Sequence, residues 1–163
     1  MIKHSLRSGF KPLIQAANRD LEKQKSDVIL ERHDNQVMLA RRHHVENEIV
    51  YGQHFKFLSV NKVVFKCNRK DSCFKTKNGD VALVSNIVRS GNALFLVGYA
   101  FRTQRDLYLY PFPSSDIGIL SVSDLGEERQ AFSLHDAECK CWLMPDGESF
   151  ACFPLLHTIS FLH

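Results

Sequence analysis

No apolar run in this chain approaches the roughly 20 residues that cross a bilayer as a helix. Nothing apolar follows the charges of Met1-Ile2-Lys3-His4-Ser5-Leu6-Arg7 in the way a secretory leader requires. The expectation is an intracellular protein, nuclear or cytoplasmic, with no membrane partner. The motifs of common chemistry are also missing. There is no Gly-x-Ser-x-Gly, no His-Glu-x-x-His, no glycine-rich phosphate loop and no protease-like segment around a cysteine. The carboxylates are scattered and sit mostly at turns. A nucleophile, its base and an orienting group meet only in the fold. With no local sign of them, the expectation is a protein that is not an enzyme and uses no cofactor. Internal repeats and low-complexity tracts are absent too.

What is present is ordinary in bulk and informative in detail. The chain has 163 residues, 44% hydrophobic and 24% charged, enough to bury a core without staples. Twelve phenylalanines favour pleated, half-buried surfaces. The five cysteines are an odd number and are expected to be reduced thiols. The net charge of +3 hides a split. Residues 1–75 hold 15 of the 21 Lys and Arg and 8 of the 18 Asp and Glu, a net of +7, and the remainder nets −4. Such a split fits an anionic partner for the basic part, or two halves that attract each other across one fold.

Helical periodicity is found once. Leu13, Ile14, Ala17 and Leu21 fall on one face of residues 11–24, with Pro12 suited to the first turn. Residues 27–31 and 36–40 flank His33-Asp34-Asn35 and predict a hairpin. From residue 49 short apolar runs alternate with turns. The runs are Ile49–Tyr51, His54–Leu58, Lys62–Lys66, Val81–Val88, Ala93–Phe101, Leu107–Tyr110, Ile117–Val122, Cys139–Met144 and Ser149–Phe153. Between them lie Asn78-Gly79, Gly91-Asn92 and Asp146-Gly147, which supply the positive φ of tight hairpins. No room remains for the crossover helices of a parallel sheet. The predicted fold is mostly β: a small antiparallel β-barrel or sandwich with an N-terminal helix. Residues 1–46 form a helix-and-hairpin extension and residues 47–163 the barrel-like domain.

Three constellations compete as sites. Cys67 and Cys73 are separated by five residues and Cys139 and Cys141 by one, with His135 and His157 nearby in sequence. Structural zinc usually takes C-x2–4-C pairs, and neither spacing fits. On a strand Cys139 and Cys141 share a face, where Cys73 could join them. Buried thiols also serve as small hydrophobes, and no metal is expected. The second constellation is basic: Arg41, Arg42, Lys62, Lys66, Arg69, Lys70 and Lys75, with Phe65 and Phe74 among them. On one face, cations neutralise phosphates and rings stack on bases, which would make DNA or RNA the partner. Alternation also allows the rings to face the core and the lysines to guard an edge. The third is Tyr108-Leu109-Tyr110-Pro111-Phe112-Pro113-Ser114-Ser115. Its prolines keep it out of a central strand. As an ordered loop, its Tyr108, Tyr110 and Phe112 are the preferred surface for a protein or peptide partner, with packing as a lid the plainer alternative.

Lys77-Asn78-Gly79-Asp80, Val97-Gly98, Leu107-Tyr108-x-x-Pro111-x-x-Ser114-Ser115, Lys140-Cys141 and Pro154-Leu155-Leu156-His157 follow one another in order. Over about residues 51–157 the chain thereby resembles an uncharacterised domain that closes many animal proteins linked to mobile genetic elements. That resemblance implies a C-terminal part, or a fragment, of a transposon-derived protein, and carries no catalytic residues with it. Gly79-Asp80-Val81-Ala82-Leu83-Val84 and Ala93–Arg102 are also similar to strands of chromatin-reading barrels of the bromo-adjacent-homology type. The aromatic-aromatic-Arg-Pro run of those barrels is missing here. The expected function is a non-catalytic interaction module, protein-binding and associated with chromatin or mobile elements. The alternative is nucleic-acid binding through the basic patch of residues 41–77.

Overall fold

The computed structural model describes residues 29–32 and 36–159. The helix expected over residues 11–24 lies outside them. Within them the chain forms eleven strands: β1 (Ile29–Arg32), β2 (Gln36–His43), β3 (Gln53–Val60), β4 (Val63–Lys66), β5 (Cys73–Thr76), β6 (Val81–Ser90), β7 (Ala93–Asp106), β8 (Leu120–Leu125), β9 (Gln130–Ser133), β10 (Ala137–Asp146) and β11 (Ser149–Pro154). Three single 3-10 turns lie at Ser114–Ile117, Leu134–Asp136 and Leu156–Thr158. Every strand pairing is antiparallel.

The order of pairing is β1-β2-β3-β6-β5-β10-β11-β8-β7-β9, with β4 on β3 and a further pairing of β6 with β7. That last pairing closes a ring through β6, β5, β10, β11, β8 and β7. Two long strands turn its corners. On β7, Phe95–Gly98 pairs β9 and Phe101–Asp106 pairs β8. On β10, Ala137–Lys140 pairs β5 and Cys141–Asp146 pairs β11. The expected hairpin is present as β1 and β2, in register from Ile29↔Leu39 to Arg32↔Gln36. It is built into the sheet, because β2 pairs β3 from Val37↔Val60 to His43↔His54.

Alternation distributes the side chains between two core clusters. Phe55, Phe65, Phe74, Leu58, Ile87 and Leu96 belong to the first, together with Val37 and Leu39 of β2. Cys73, Val81, Phe101, Leu120, Val122, Cys139, Cys141 and Cys152 form the second. Cys73 and Phe74 are neighbours on β5 and point to opposite clusters, as the period of two requires. Ala137 and Cys139 are two apart on β10 yet serve different clusters. A register shift between them explains the switch, since an extra residue in a strand turns the following side chains to the other face.

Two expected runs are not strands. Ile49–Tyr51 lies in the connection before β3. Leu107–Tyr110 lies in the loop after β7, where the buried Ser114 hydroxyl accepts hydrogen bonds from the amides of Leu107 (2.7 Å) and Tyr108 (3.3 Å) and folds the chain back. Two strands, β5 and β9, were not expected, each only four residues long.

A polar knot ties the β2–β3 connection to β6. His43 Nε2 donates to Asn86 Oδ1 (2.7 Å), Asn86 Nδ2 donates to Glu48 Oε2 (2.8 Å), and Arg129 pairs with the same carboxylate at 3.3 Å. Beside it, buried His54 accepts the Val45 amide at Nδ1 (3.0 Å), with the His44 ring stacked on it at 5.7 Å and His43 edge-on at 6.2 Å. Burial first, and then the two neighbouring imidazoles, lower the His54 pKa below its ordinary 6.5, against the pull of Glu48. A depressed pKa means the fold favours the neutral ring. Its contribution is present above pH 6.5 and is lost as pH falls from 6.5 through the folded value. Thermal melts from pH 7.5 to 5 are therefore expected to fall more steeply for the wild type than for His54→Asn, whose side-chain oxygen can accept from Val45 without titrating. Parallel slopes would remove His54 as the source.

Candidate functional site

A concavity with an apolar lining lies over the second core cluster. Phe101 of β7, Leu125 of β8, Leu83 of β6 and Trp142, Leu143, Pro145 and Phe150 of the β10–β11 hairpin line a groove of about 530 Å³. Arg69 and Lys70, from the β4–β5 loop, stand at its edge. The hairpin carries the rings there for a local reason. Gly147 takes φ 61° at its turn, which sets Trp142 opposite Phe153 and Leu143 opposite Cys152. Leu143 and its partner Cys152 then pack in the core, while Trp142 stays 52% exposed, its ring tilted against Phe153 at 5.6 Å.

Groups of this kind fall in the usual range for ligand sites: several hundred Å³, apolar walls and a few polar groups. Among the described residues neither the Arg69 guanidinium nor the Lys70 ammonium forms an ion pair. Their loop is nevertheless fixed, because the Asn68 side chain accepts from the amides of Lys70 (3.0 Å) and Asp71 (2.8 Å). Two cations with no ion-pair partner among the described residues are thus held beside an open aromatic surface.

Thiols lie under the groove. The Sγ atoms of Cys73, Cys141 and Cys152 are all within 4.8 Å of one another, and all three residues are buried. Cys139, two residues from Cys141 on β10, packs in the same core cluster. Hydrogen bonds from Cys141 and then Cys73 hold the Cys152 thiol below its ordinary range. The bonds Cys141 makes to Cys139, Cys152 and Cys73, then its burial, push its own pKa far up. The Lys75 ammonium favours thiolate at both Cys139 and Cys152. All five cysteines are free thiols. Cys67 lies apart, against the Phe55 carbonyl at 3.9 Å, and burial pushes its thiol up to about 11. His135 and His157 are exposed on 3-10 turns and outside the cluster.

The basic residues singled out from the sequence divide among several features. Arg69 and Lys70 flank the groove. Lys75 lies near the thiols. Lys62 lines a smaller hollow of about 340 Å³ with Lys140, His157 and Thr158. Lys66 is close enough to Lys140 to disfavour its charge. Lys140 itself is buried, pairs with Asp71 at 3.4 Å and lies 5.7 Å from the centre of the Phe65 ring. Arg41 and Arg42 are exposed on β2, where Arg41 takes φ 60° and Arg42 is in register with Phe55. Phe65 and Phe74 belong to the core, the alternative that strand alternation had allowed.

In the aromatic loop, Tyr108 is half-buried and meets Phe112 edge-on at 6.4 Å, while Tyr110 and Phe112 are exposed. The Ser115 side chain and amide hold the Asp106 carboxyl below its usual range and anchor the loop base, with the amide at 2.8 Å. Sequence reasoning missed Trp142, Phe150 and Cys152. The signal for Trp142 was its place between Cys141 and Leu143 on an alternating strand, which sends it outward alone.

Residues 25–155 match the family described as Domain of unknown function (DUF8592), and the chain belongs to that family. No curated protein and no solved structure matches it. Among the described residues no helix is long and apolar enough to cross a membrane.

Proposed function

We propose that this member of the DUF8592 family is a non-catalytic interaction module that binds an extended protein segment. The segment carries an apolar anchor next to acidic side chains. The closed ring of strand pairings is read as a small β-barrel, and the groove on its β10–β11 side as the binding surface. The observation that carries this reading is the pairing of an exposed Trp142 and a Phe101–Phe150 floor with two cations, Arg69 and Lys70. Tryptophan and arginine dominate the energetics of protein interfaces, since large flat groups bury much area at little entropic cost. The Tyr108–Phe112 loop is a second surface of the same kind, and the resemblance to mobile-element proteins suggests where partners should be sought.

Trp142 is the only tryptophan in the chain, so its emission reports on the groove directly. Titration with short synthetic peptides bearing Leu or Phe flanked by Asp and Glu is expected to shift that emission saturably. Trp142→Ala, followed through a labelled peptide, is expected to weaken binding by roughly 30-fold or more, the size of a central hot spot. Arg69→Ala with Lys70→Ala is expected to weaken it less and to flatten its dependence on salt. Emission unmoved by the whole peptide set would remove this reading. Retention of DNA or RNA that falls steeply with salt, and is lost with Arg69 and Lys70, would replace it with the nucleic-acid one.

A further inference from the structure

The cysteines beneath the groove are brought together by the fold and not by their spacing. Cys73 begins β5, Cys139 and Cys141 lie on β10 and Cys152 lies on β11. Strand β10 pairs β5 through one part of its length and β11 through the next. Three strands thereby deliver Cys73, Cys141 and Cys152 to one point, with Cys139 in the same core cluster. Burial as a small hydrophobe accounts for each thiol singly and does not require three of them to converge. Here three Sγ atoms are mutually within 4.8 Å, and Cys139 packs in the same core cluster, two residues from Cys141 on β10.

We propose that Cys73, Cys139, Cys141 and Cys152 hold a zinc ion as a structural site. A tetrahedral ion with Zn–S bonds of about 2.3 Å places its sulfurs roughly 3.8 Å apart. Cys73, Cys141 and Cys152 already lie near that spacing, and Cys139, two residues from Cys141 in the same cluster, is the fourth ligand that binding would draw in. Four soft sulfurs and no carboxylate or imidazole select zinc or another thiophilic ion over magnesium or calcium. The rest of the cluster is apolar: Val81, Phe101, Leu120 and Val122. It leaves no open position for water, which marks a structural role. On binding, each thiol passes its proton to solvent, and four thiolates around Zn²⁺ leave a charge of −2 that Lys75 partly offsets. Uptake therefore weakens as pH falls. The ion would clamp β5, β10 and β11 together. Leu143 and Phe150, which pack against this cluster, also line the groove, so loading would stiffen its floor. The site stands on its own sulfur geometry, whatever the groove binds.

Purification of the full chain under reducing conditions without chelator, followed by metal analysis, is expected to give close to one zinc per chain. Refolding the wild type with Co²⁺ is expected to give thiolate-to-cobalt charge-transfer absorption and the intense visible bands of a tetrahedral ion. Cys67→Ser is expected to keep the metal. Cys73→Ser with Cys152→Ser is expected to lose it, and a chelator is expected to lower the wild-type melting temperature. Folded wild type that takes up neither zinc nor cobalt would overturn the proposal. So would bound cobalt without charge-transfer absorption, or a folded double variant that keeps one zinc per chain. If the double variant does not fold, the wild-type cobalt spectrum decides alone.

Discussion

Gly98→Ala is expected to leave little folded protein, although it adds a single methyl group. A Cβ built at Gly98 falls 1.8 Å from the Leu83 carbonyl oxygen, 2.8 Å from its carbon and 3.1 Å from the Leu83 neighbour Val84 at Cα. All three obstacles are backbone, so no side chain can rotate away. The contact arises where β6 carries a register shift between Val84 and Asn86 and bows against β7. A shift there lets the sheet bend, and the facing strand must then lack a side chain. The β6–β7 pairing is also the one that closes the ring, so the strands cannot separate locally without opening it. Overpacking by one methylene typically costs about 1–3 kcal/mol where side chains can yield. A clash with fixed backbone exceeds that and takes a large part of the roughly 5–15 kcal/mol that holds a domain folded. Gly91→Asn is the matched control. Gly91 has φ 61° and nothing within 4 Å of an added Cβ, and asparagine tolerates that conformation, so little change is expected. Denaturant midpoints compare the two. A soluble Gly98→Ala protein within about 1 kcal/mol of wild type would mean that the two strands are not this close.

How far the sequence was legible follows from the range of the interaction involved. Alternation over Val81–Val88 and Ala93–Phe101, with Gly91-Asn92 between them, specifies a hairpin locally, and the structure has it as β6 and β7. β5 could not be read in this way. Cys73–Thr76 offers four residues, of which Cys73, Phe74 and Thr76 are all buried, so it has no polar face to alternate with. Its status comes from pairing with β6 on one side and β10 on the other. The thiol cluster shows the same limit. That Cys139 and Cys141 share a face is a property of one strand. That Cys152 joins them, and Cys67 does not, depends on β10 pairing both β5 and β11. The groove was the least legible feature. Leu83, Phe101, Leu125 and Phe150 come from four strands, and each alone reads as an ordinary core position. The aromatic loop drew attention because its rings are consecutive in sequence, whereas the rings around the groove meet only in space.

Phe74→Ala is expected to be the most damaging truncation in the first core cluster. The side chain is fully buried. Its ring meets Phe132 edge-on at 5.3 Å and Phe65 edge-on at 6.3 Å. Phe132 is delivered by β9 and Phe65 by β4, two short strands at the margins of the sheet. One ring on the central β5 therefore fastens both margins. Truncating a buried phenylalanine costs about 3–5 kcal/mol, through lost transfer free energy and the cavity left behind. The two edge-to-face contacts add to the burial itself. At roughly 2–4 °C per kcal/mol for a domain of this size, the melting temperature should fall by about 10 °C or more. Phe74→Leu keeps most of the volume and loses only the ring contacts, so it should cost about a third as much. Because Phe74 and Cys73 face opposite sides of β5, the truncation should spare the thiol cluster. In the fraction that remains folded, slow modification of the buried cysteines by a thiol reagent should persist. Equal losses for Phe74→Ala and Phe74→Leu would show that ring contacts, not volume, dominate there. A loss under about 1 kcal/mol for both would mean that β5 is not the buried centre of the sheet.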